Sequence, residues 1–499
     1  GISLAVGLGN AIDVDAAAVL EHLAELPTTK AIALHLEGVE HGRRLYDTLK
    51  RVTRIKPVAA LTVGKADVGA FARSHTGNLL GSYALRVNAL RQAGAVVVET
   101  TEELAIAASV LSQYRLEPKL RPGIAIMTAQ AGPGLLMLDR LRASGVAVPA
   151  LEASTLEQVR QRLPPMTYLD NPVDTGRPGP SFAEVLELVA ADPRIDAVAA
   201  YALHEPAALR PEEVLPPLAR RIGKPLLFGT VGPRDETAPS ITRLRSAGIT
   251  VLESPEQLAR AAIVLSLDAA AQARLIRESE TALAPRVVPV PRGRDEHAAK
   301  CLLDLVGIPT PERAECSSHA EAYEALRRLR KPVVAKILSA DIAHKTEVGG
   351  VHLNITEDRE LAAALAKLDA IGLAGERRYL LEAMAPPGLE LILGAVRDTS
   401  FGPTVMVGAG GTLAEALQDT ATRLAPLTPL EANEMLDELR IARLLDGFRG
   451  APALDRAAVA RAITSLGDLL AAHPTLQEIE INPLRVSTNG VMALDALLR

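Results

Sequence analysis

A chain of 499 residues exceeds what one hydrophobic core organises, so about three domains are expected. A net charge of −6, 2% aromatic residues and no tryptophan argue against a nucleic-acid partner, which needs a basic footprint or stacking platforms. Two cysteines, Cys301 and Cys316, exclude a disulfide framework or a cysteine-rich zinc site and suit a reducing cytoplasm, and no apolar run reaches the ~20 residues that span a bilayer.

Nothing at the start reads as a signal peptide. The chain opens at Gly1, and residues 2–8 already read as a strand, so an upstream domain is expected to be missing. Residues 1–117 then alternate helices (14–26, 102–113) with short Val/Ala/Leu/Ile strands (31–36, 58–63, 95–98). That spacing predicts a parallel sheet covered on both faces. Residues 118–278 repeat the scheme with strands at 124–128, 197–203, 226–229 and 250–252. Residues 279–294 contain Pro285, Pro289 and Pro291 and read as an extended linker. From 295 to 499 a helix over 296–306 leads into strands with Gly-rich turns, an α+β pattern.

The first two segments are copies of one unit. Residues 56–64, beginning Lys56-Pro57, match 224–232, beginning Lys224-Pro225, at an offset of 168. At that offset Glu37 falls on Glu205. Residues 93–112 match 247–266 at an offset of 154, so the first copy holds 14 additional residues between Gly64 and Ala93. Ser74-His75-Thr76-Gly77 lies in that addition. A segment present in one twin only is better explained by function than by packing.

His75 precedes Leu79, Leu80, Tyr83, Val87 and Leu90, which recur at helical spacing. At a helix start, free N–H groups and the dipole favour an anion, so a phosphate carried on the ring would be held there. Glu37, ending a strand of the same unit, is placed to orient the ring. The plain alternative is a capping turn on a surface loop. Thr128-Ala129-Gln130-Ala131-Gly132-Pro133-Gly134 is a second strand-to-helix turn where Gly132 and Gly134 offer either a phosphate cradle or close packing. Asn171-Pro172-Val173-Asp174 reads as a structural turn.

In the third segment Lys336 ends a short apolar strand, and a lysine so placed needs an anion to meet. Residues 344–351 form a polar loop in which Lys345 and the amides of Gly349 and Gly350 are candidate phosphate contacts. Glu382 and Glu390 stand beside apolar strands. Glu478, Glu480 and Asn482 share one strand face, and Asp495 adds a carboxylate, so oxygen donors for Mg²⁺ are available.

Taken in order, Lys336, residues 344–351, Glu382, Glu390, Phe401-Gly402-Pro403, Gly410-Gly411, Arg423 and Ile481-Asn482-Pro483-Leu484 resemble the ATP-grasp half of an ADP-forming acyl-CoA synthetase. Gly9-Asn10, Leu36-Glu37-Gly38, residues 74–77, 128–134 and 171–174 resemble the succinyl-CoA-synthetase-like half. The resemblance implies an α/β fold: two flavodoxin-like parallel-sheet domains (1–117 and 118–278), a linker (279–294) and an α+β ATP-grasp domain of two subdomains (295–499).

It implies the reaction acyl-CoA + ADP + phosphate ⇌ carboxylate + CoA + ATP, through an acyl phosphate and a phosphohistidine. His75 matches the carrier, Glu37 its supporting glutamate, and His344 a second relay histidine. Ser74, Thr76, Gly77, Gly132 and Gly134 match phosphate-loop positions. Lys336, Lys345, Gly349, Gly350, Glu382, Glu390 and Arg423 match nucleotide-binding positions, and Asn482 and Asp495 match Mg²⁺ ligands.

The cofactors implied are ATP/ADP, Mg²⁺ and CoA, the last bound mainly by an N-terminal domain absent here. The implied partners are a small carboxylic acid, phosphate, CoA, the missing CoA-binding domain or subunit, and an oligomeric assembly in the cytoplasm. Two positions depart from the family. Glu480 stands where Asp is usual, and the turn at 128–132 has one glycine fewer. The alternative reading is the non-ligase regulatory region of a protein lysine acetyltransferase; a third, a carboxylate–amine ligase, leaves the duplicated units without a role.

Overall fold

The computed structural model describes residues 1–65, 83–165, 168–281, 287–339, 342, 345–372, 376–411 and 419–499. The chain divides into two units, Gly1–Glu280 and Thr281–Arg499.

In the first unit, short Val/Ala/Leu runs form parallel strands, and those at Val58–Thr62, Ile124–Thr128 and Ala197–Tyr201 are buried along their whole length. Strands β1 (Ile32–Leu36), β2 (Val58–Thr62) and β3 (Val96–Val98) make one sheet in that order. Strands β4 (Ile124–Thr128), β5 (Val173–Asp174), β6 (Ala197–Tyr201), β7 (Leu226–Gly229) and β8 (Thr250–Leu252) make a second, ordered β5-β4-β6-β7-β8. The two sheets share one core. Leu61 and Val98 cluster with Ile126, Leu227 and Leu258, and the Tyr114 hydroxyl donates to Gly248 O at 3.0 Å.

Residues 2–8 do not form the expected strand. They pair with neither edge of the first sheet, and Ile2 is 89% exposed. Apolar alternation yields a strand only where a ladder partner accepts it. The helix Pro255–Thr281 also continues three residues into the segment read as a linker, past Ser279.

Strand register tests the duplication. β1 pairs with β2 as Ile32↔Val58, and β6 with β7 as Val198↔Leu226. Aligning β2 on β7 at the 168-residue offset therefore aligns β1 on β6 at 166, because the connection in the second copy is two residues longer. Glu37 thus corresponds to Leu203, not to Glu205. Beyond β2 the register supports the sequence match: Ala59↔Val96 corresponds to Leu227↔Thr250, so the first copy does carry 14 additional residues. The paired lysines are structural twins. Lys56 donates to Leu23 O at 2.8 Å and Lys224 to Ala190 O at 2.7 Å, each ammonium capping the carbonyl end of the helix before the adjacent strand, Ala16–Glu25 before β1 and Phe182–Ala191 before β6.

Asn171 completes the second sheet. β5 pairs with β4 only at Met127 and Thr128. Further along, the Asn171 amide takes the place of a strand: Ile126 N–H donates to Oδ1 at 2.8 Å, and Nδ2 donates to Ile124 O at 2.8 Å and to Pro149 O at 3.0 Å. Asp174 accepts from Gly176 N–H at 2.9 Å, an Asx turn.

In the second unit, β9 (Arg313–Cys316), β10 (Val333–Leu338), β11 (Val351–Ile355) and β12 (Arg378–Ala383) form an antiparallel sheet ordered β11-β10-β12-β9. Helices His319–Arg328 and Asp358–Asp369 cover it. A second antiparallel sheet contains β13 (Leu389–Asp398), β14 (Gly402–Ala409), β15 (Thr420–Leu424), β16 (Glu478–Ser487), β17 (Gly490–Ala493) and β18 (Ala496–Leu498). Its order is β15-β14-β13-β16-β17, with β18 on β16. Helices Glu296–Leu305, Pro429–Glu438 and Arg456–Ala472 pack on this sheet. Among the described residues no helix is long and apolar enough to cross a membrane.

Replacing Asn171 by Ala strands the Ile126 N–H and the Ile124 carbonyl inside the first unit. The expected loss is about 2–4 kcal/mol, read as a lowered urea midpoint.

Candidate functional site

Three lysines and three carboxylates converge inside the second unit. Lys336 arrives on β10, where alternation puts Val334 and Lys336 on one face; β12 presents Glu382 opposite Val334 on that face. The helix Glu296–Leu305 contributes Glu296 and, one turn later, Lys300, both with fully buried side chains. Asp295 caps this helix by accepting from Ala298 N–H at 3.0 Å, which fixes where Glu296 enters. Lys345 comes from the turn before β11, and Asp495 from the residue before β18.

Glu296 is the hub. Its Oε1 lies 2.6 Å from Lys336 Nζ and 2.7 Å from Lys300 Nζ, and its Oε2 lies 3.0 Å from Lys345 Nζ. Glu382 pairs with Lys336 at 2.9 Å and also with Lys300. Leu494 O accepts from Lys300 at 2.8 Å and from Lys336 at 2.7 Å. Asp495 Oδ1 lies 3.3 Å from Lys345 Nζ.

Burial opposes every charge here, and the partners decide the outcome. For Glu296 burial is outweighed by Lys336, Lys300 and Lys345, and the carboxyl is held well below the usual range. For Lys336 burial is outweighed by Glu296 and Glu382, and for Lys345 by Glu296 and Asp495, so both ammonium groups are held above theirs. Lys300 goes the other way, because burial and the Lys336 charge outweigh its two carboxylates. Asp495 is pushed up by burial and by Glu296.

Lys336, Lys345, Glu382 and Asp495 are thus brought together as the sequence suggests. Glu296 and Lys300 were not anticipated. Their four-residue spacing is that of an ordinary surface pair. The available signal was that Ala299, Leu302 and Leu303 place the same helix face in the core.

The amides of Gly349 and Gly350 are occupied within their own turn in this structure. Gly349 N–H donates to Thr346 O at 3.2 Å and Gly350 N–H to Lys345 O at 2.7 Å. Glu390 pairs with Arg485, and Gly411 sits against it so closely that a Cβ there would lie 2.6 Å from Glu390 Oε2. Arg423, also buried, is held by Glu438 on the helix Pro429–Glu438. Asn482 is exposed. Its main-chain N–H donates to Asp495 O at 3.2 Å, which sets the two residues side by side, and its Nδ2 donates to Glu480 Oε1 at 3.3 Å.

In the first unit Glu37 stands exposed just past the C-terminal end of β1, where open parallel sheets present their ligands. The turn at Gln130 leads into the helix Ala131–Ala143 without a side-chain cap. Gln130 Nε2 has no hydrogen-bond partner among the described residues. Gly132 is exposed, whereas Gly134 is needed for packing: a Cβ there would meet Thr128 Cγ2 at 2.8 Å. Ser74, His75, Thr76, Gly77 and His344 lie outside the described residues. Sequence reasoning also passed over Arg86. Its buried guanidinium donates to Thr62 Oγ1 at 2.7 Å and to Val63 O, at the end of β2 from which the added residues depart.

Residues 1–111 match the succinyl-CoA ligase-like flavodoxin domain and residues 292–499 the ATP-grasp domain. An ADP-forming acetate–CoA ligase I of Archaeoglobus fulgidus is 32% identical over 99% of this chain and 73% of its own length. The chain belongs to the ADP-forming acyl-CoA synthetase family. Another synthetase relative, a trans-feruloyl-CoA synthase of an unknown prokaryotic organism, is 30% identical over 100% of this chain and 72% of its own. Some synthetases of the family are divided into alpha and beta subunits. The fold is also that of an acetyl-coenzyme A synthetase of Ca. Korarchaeum cryptofilum, solved with phosphate and ADP. That match has a TM-score of 0.51 at 24% identity, covering 56% of this chain and 61% of the other.

Lys345 depends on a glycine. A Cβ at Gly350 would lie 2.7 Å from Ile337 Cγ2 and 2.9 Å from Lys345 O, so the turn must move. Gly350→Ala is expected to cost about 1–3 kcal/mol, read as a lowered thermal midpoint. At Gly349 nothing crowds a Cβ and only its φ of +70° resists, so Gly349→Ala should cost about 1–2 kcal/mol.

Proposed function

We propose that this chain carries the phosphoryl-transfer machinery of an ADP-forming acid–CoA ligase, catalysing acyl-CoA + ADP + phosphate ⇌ carboxylate + CoA + ATP. The observation that carries the reading is the buried cluster on Lys336, with Asp495 and Asn482 beside it, in a chain of this family. Lys336 and Lys345 contact nucleotide phosphates, Glu382 holds Lys336 in place, and Glu390, with Gly410 and Gly411 packed against it, belongs to the same nucleotide-binding half. Arg423 acts from β15.

Asn482 and Asp495 fit Mg²⁺. Both offer hard oxygen donors, they are adjacent, and the Asp495 side chain is 31% exposed. Among the described residues no group of three or more His, Cys, Asp or Glu could hold a metal ion. That suits a cation that takes its remaining ligands from phosphates and water. When bound, Mg²⁺ neutralises charge on the transferring phosphoryl group.

In the direction of ATP synthesis, a phosphate oxygen attacks the acyl-CoA carbonyl and the CoA thiolate leaves, giving an acyl phosphate. A His75 ring nitrogen then attacks phosphorus and the carboxylate departs. Glu37 orients the ring and keeps the attacking nitrogen free of a proton. His344 relays the phosphoryl group to the terminal oxygen of ADP near Lys336. The N–P bond retains high transfer potential, so each step runs either way. The acid is left open, since relatives of similar identity are named for acetate and for ferulate.

The test is incubation of the full-length protein with ATP labelled at the γ-phosphate. Acid-labile, base-stable label is expected on the protein and is expected to vanish in His75→Ala. Label that persists in that variant but is absent in His344→Ala moves the carrier to His344. Absence of label on the unaltered protein overturns the ligase reading.

A further inference from the structure

Glu296 has no assigned role in the reaction, yet it is the most heavily used side chain at the site. It sits on the helix Glu296–Leu305, whose Ala299, Leu302 and Leu303 belong to the core of the β13–β18 sheet. Two of the ammonium groups it meets come from elsewhere. Lys336 comes from β10 of the other sheet and Lys345 from the turn that follows β10. A single carboxylate therefore joins the lysines of one sheet to a helix seated on the other.

Elementary accounting limits what that carboxylate can be for. Lys300, Lys336 and Lys345 bring three positive charges, and Glu296, Glu382 and Asp495 bring three negative ones. The cluster offers an incoming phosphate no surplus positive charge. Were Glu296 present only for electroneutrality, deleting Lys300 along with it would do as well, since among the described residues of the site Lys300 meets only Glu296, Glu382 and Leu494 O. The geometry gives Glu296 a more specific task. Its two oxygens divide their work: Oε1 accepts from Lys336 at 2.6 Å and pairs with Lys300 at 2.7 Å, while Oε2 lies in ion-pair range of Lys345 Nζ at 3.0 Å. A lysine carries a flexible four-carbon stem, and ordering two of them before the ligand arrives removes that entropic cost from binding.

We propose that Glu296 is a positioning residue of the nucleotide site, a resident anion that holds Lys336 and Lys345 in place before phosphate oxygens arrive. The inference rests on the reading of those lysines as nucleotide contacts. Lys300 is its brace, gripping Glu296 and Glu382 from the buried side.

The experiment compares the unaltered chain with Glu296→Gln, Glu296→Asp and the double variant Glu296→Gln/Lys300→Met. ADP binding is measured by calorimetry with Mg²⁺ present, and self-phosphorylation as a function of ATP concentration. For Glu296→Gln the nucleotide Kd and KM are expected to rise about tenfold or more, with a smaller change in kcat. Glu296→Asp, which keeps the charge, is expected to recover part of the loss. The double variant removes one charge of each sign, so it remains balanced and keeps the measurement available should Glu296→Gln fail to fold. It is expected to bind as weakly as Glu296→Gln. A folded double variant with unaltered nucleotide affinity overturns the positioning role in favour of charge balance, and unaltered affinity in Glu296→Gln overturns both. Absence of ADP binding by the unaltered chain instead removes the nucleotide-site reading, and the inference with it.

Discussion

The second unit is organised around the attraction of three ammonium groups to one buried carboxylate. Removing an ion from water costs several kcal/mol even after the surroundings relax, so no member of the cluster is tolerable alone. Glu296 is held ionised by its three lysines, and Lys336 by its two carboxylates. The strain appears at the ends of the network. Lys300 is pushed toward losing its proton and Asp495 toward keeping one. Because the partners come from a helix start, two strands, a tight turn and the entry to β18, satisfying the charges also fixes the backbone of every element that supplies one.

The first unit solves a different problem by duplication. Both copies spend a lysine on capping the helix before the matching strand, β1 or β6, and both rely on buried parallel strands. They diverge at the end of the strand following that lysine. In the first copy Arg86 reaches back to Thr62 and Val63; at the corresponding position the second copy has Ser240, whose hydroxyl donates to Glu212 at 2.6 Å. A buried guanidinium is costly unless its donors are met, so its presence in the copy with the longer connection is a second mark of specialisation there. Glu205 is not such a mark, since the register aligns Glu37 with Leu203.

What was legible in the sequence follows from which forces are periodic. The strands at 124–128, 226–229 and 250–252 fall where the apolar runs place them, because burial on both faces leaves a continuous apolar signal. Lys336 was legible because a charge inside such a run is conspicuous. Glu296 and Lys300 were not, since an acid and a lysine four apart look like a solvated helix pair until the helix is known to turn that face inward. Residues 2–8 misled in the opposite sense, being apolar without a ladder to join. The Gly349 and Gly350 amides read as free donors because sequence does not reveal that the turn consumes them.

Among the described residues the cluster at the proposed nucleotide site is electroneutral, which would suit a reversible ligase. A strongly positive pocket would bind the nucleotide tightly in ground state and transition state alike, and such uniform binding slows release without speeding the chemical step. Here a phosphate oxygen reaching Lys336 or Lys345 must share each ammonium with carboxylates already in contact. The gain is the difference between two charge-assisted hydrogen-bond arrangements and not the whole energy of one. Phosphate contacts and carboxylate contacts can then replace one another at modest net cost. On the proposed reading, such exchange would keep ATP and ADP comparably bound, a balance needed by an enzyme that passes phosphate both to and from nucleotide.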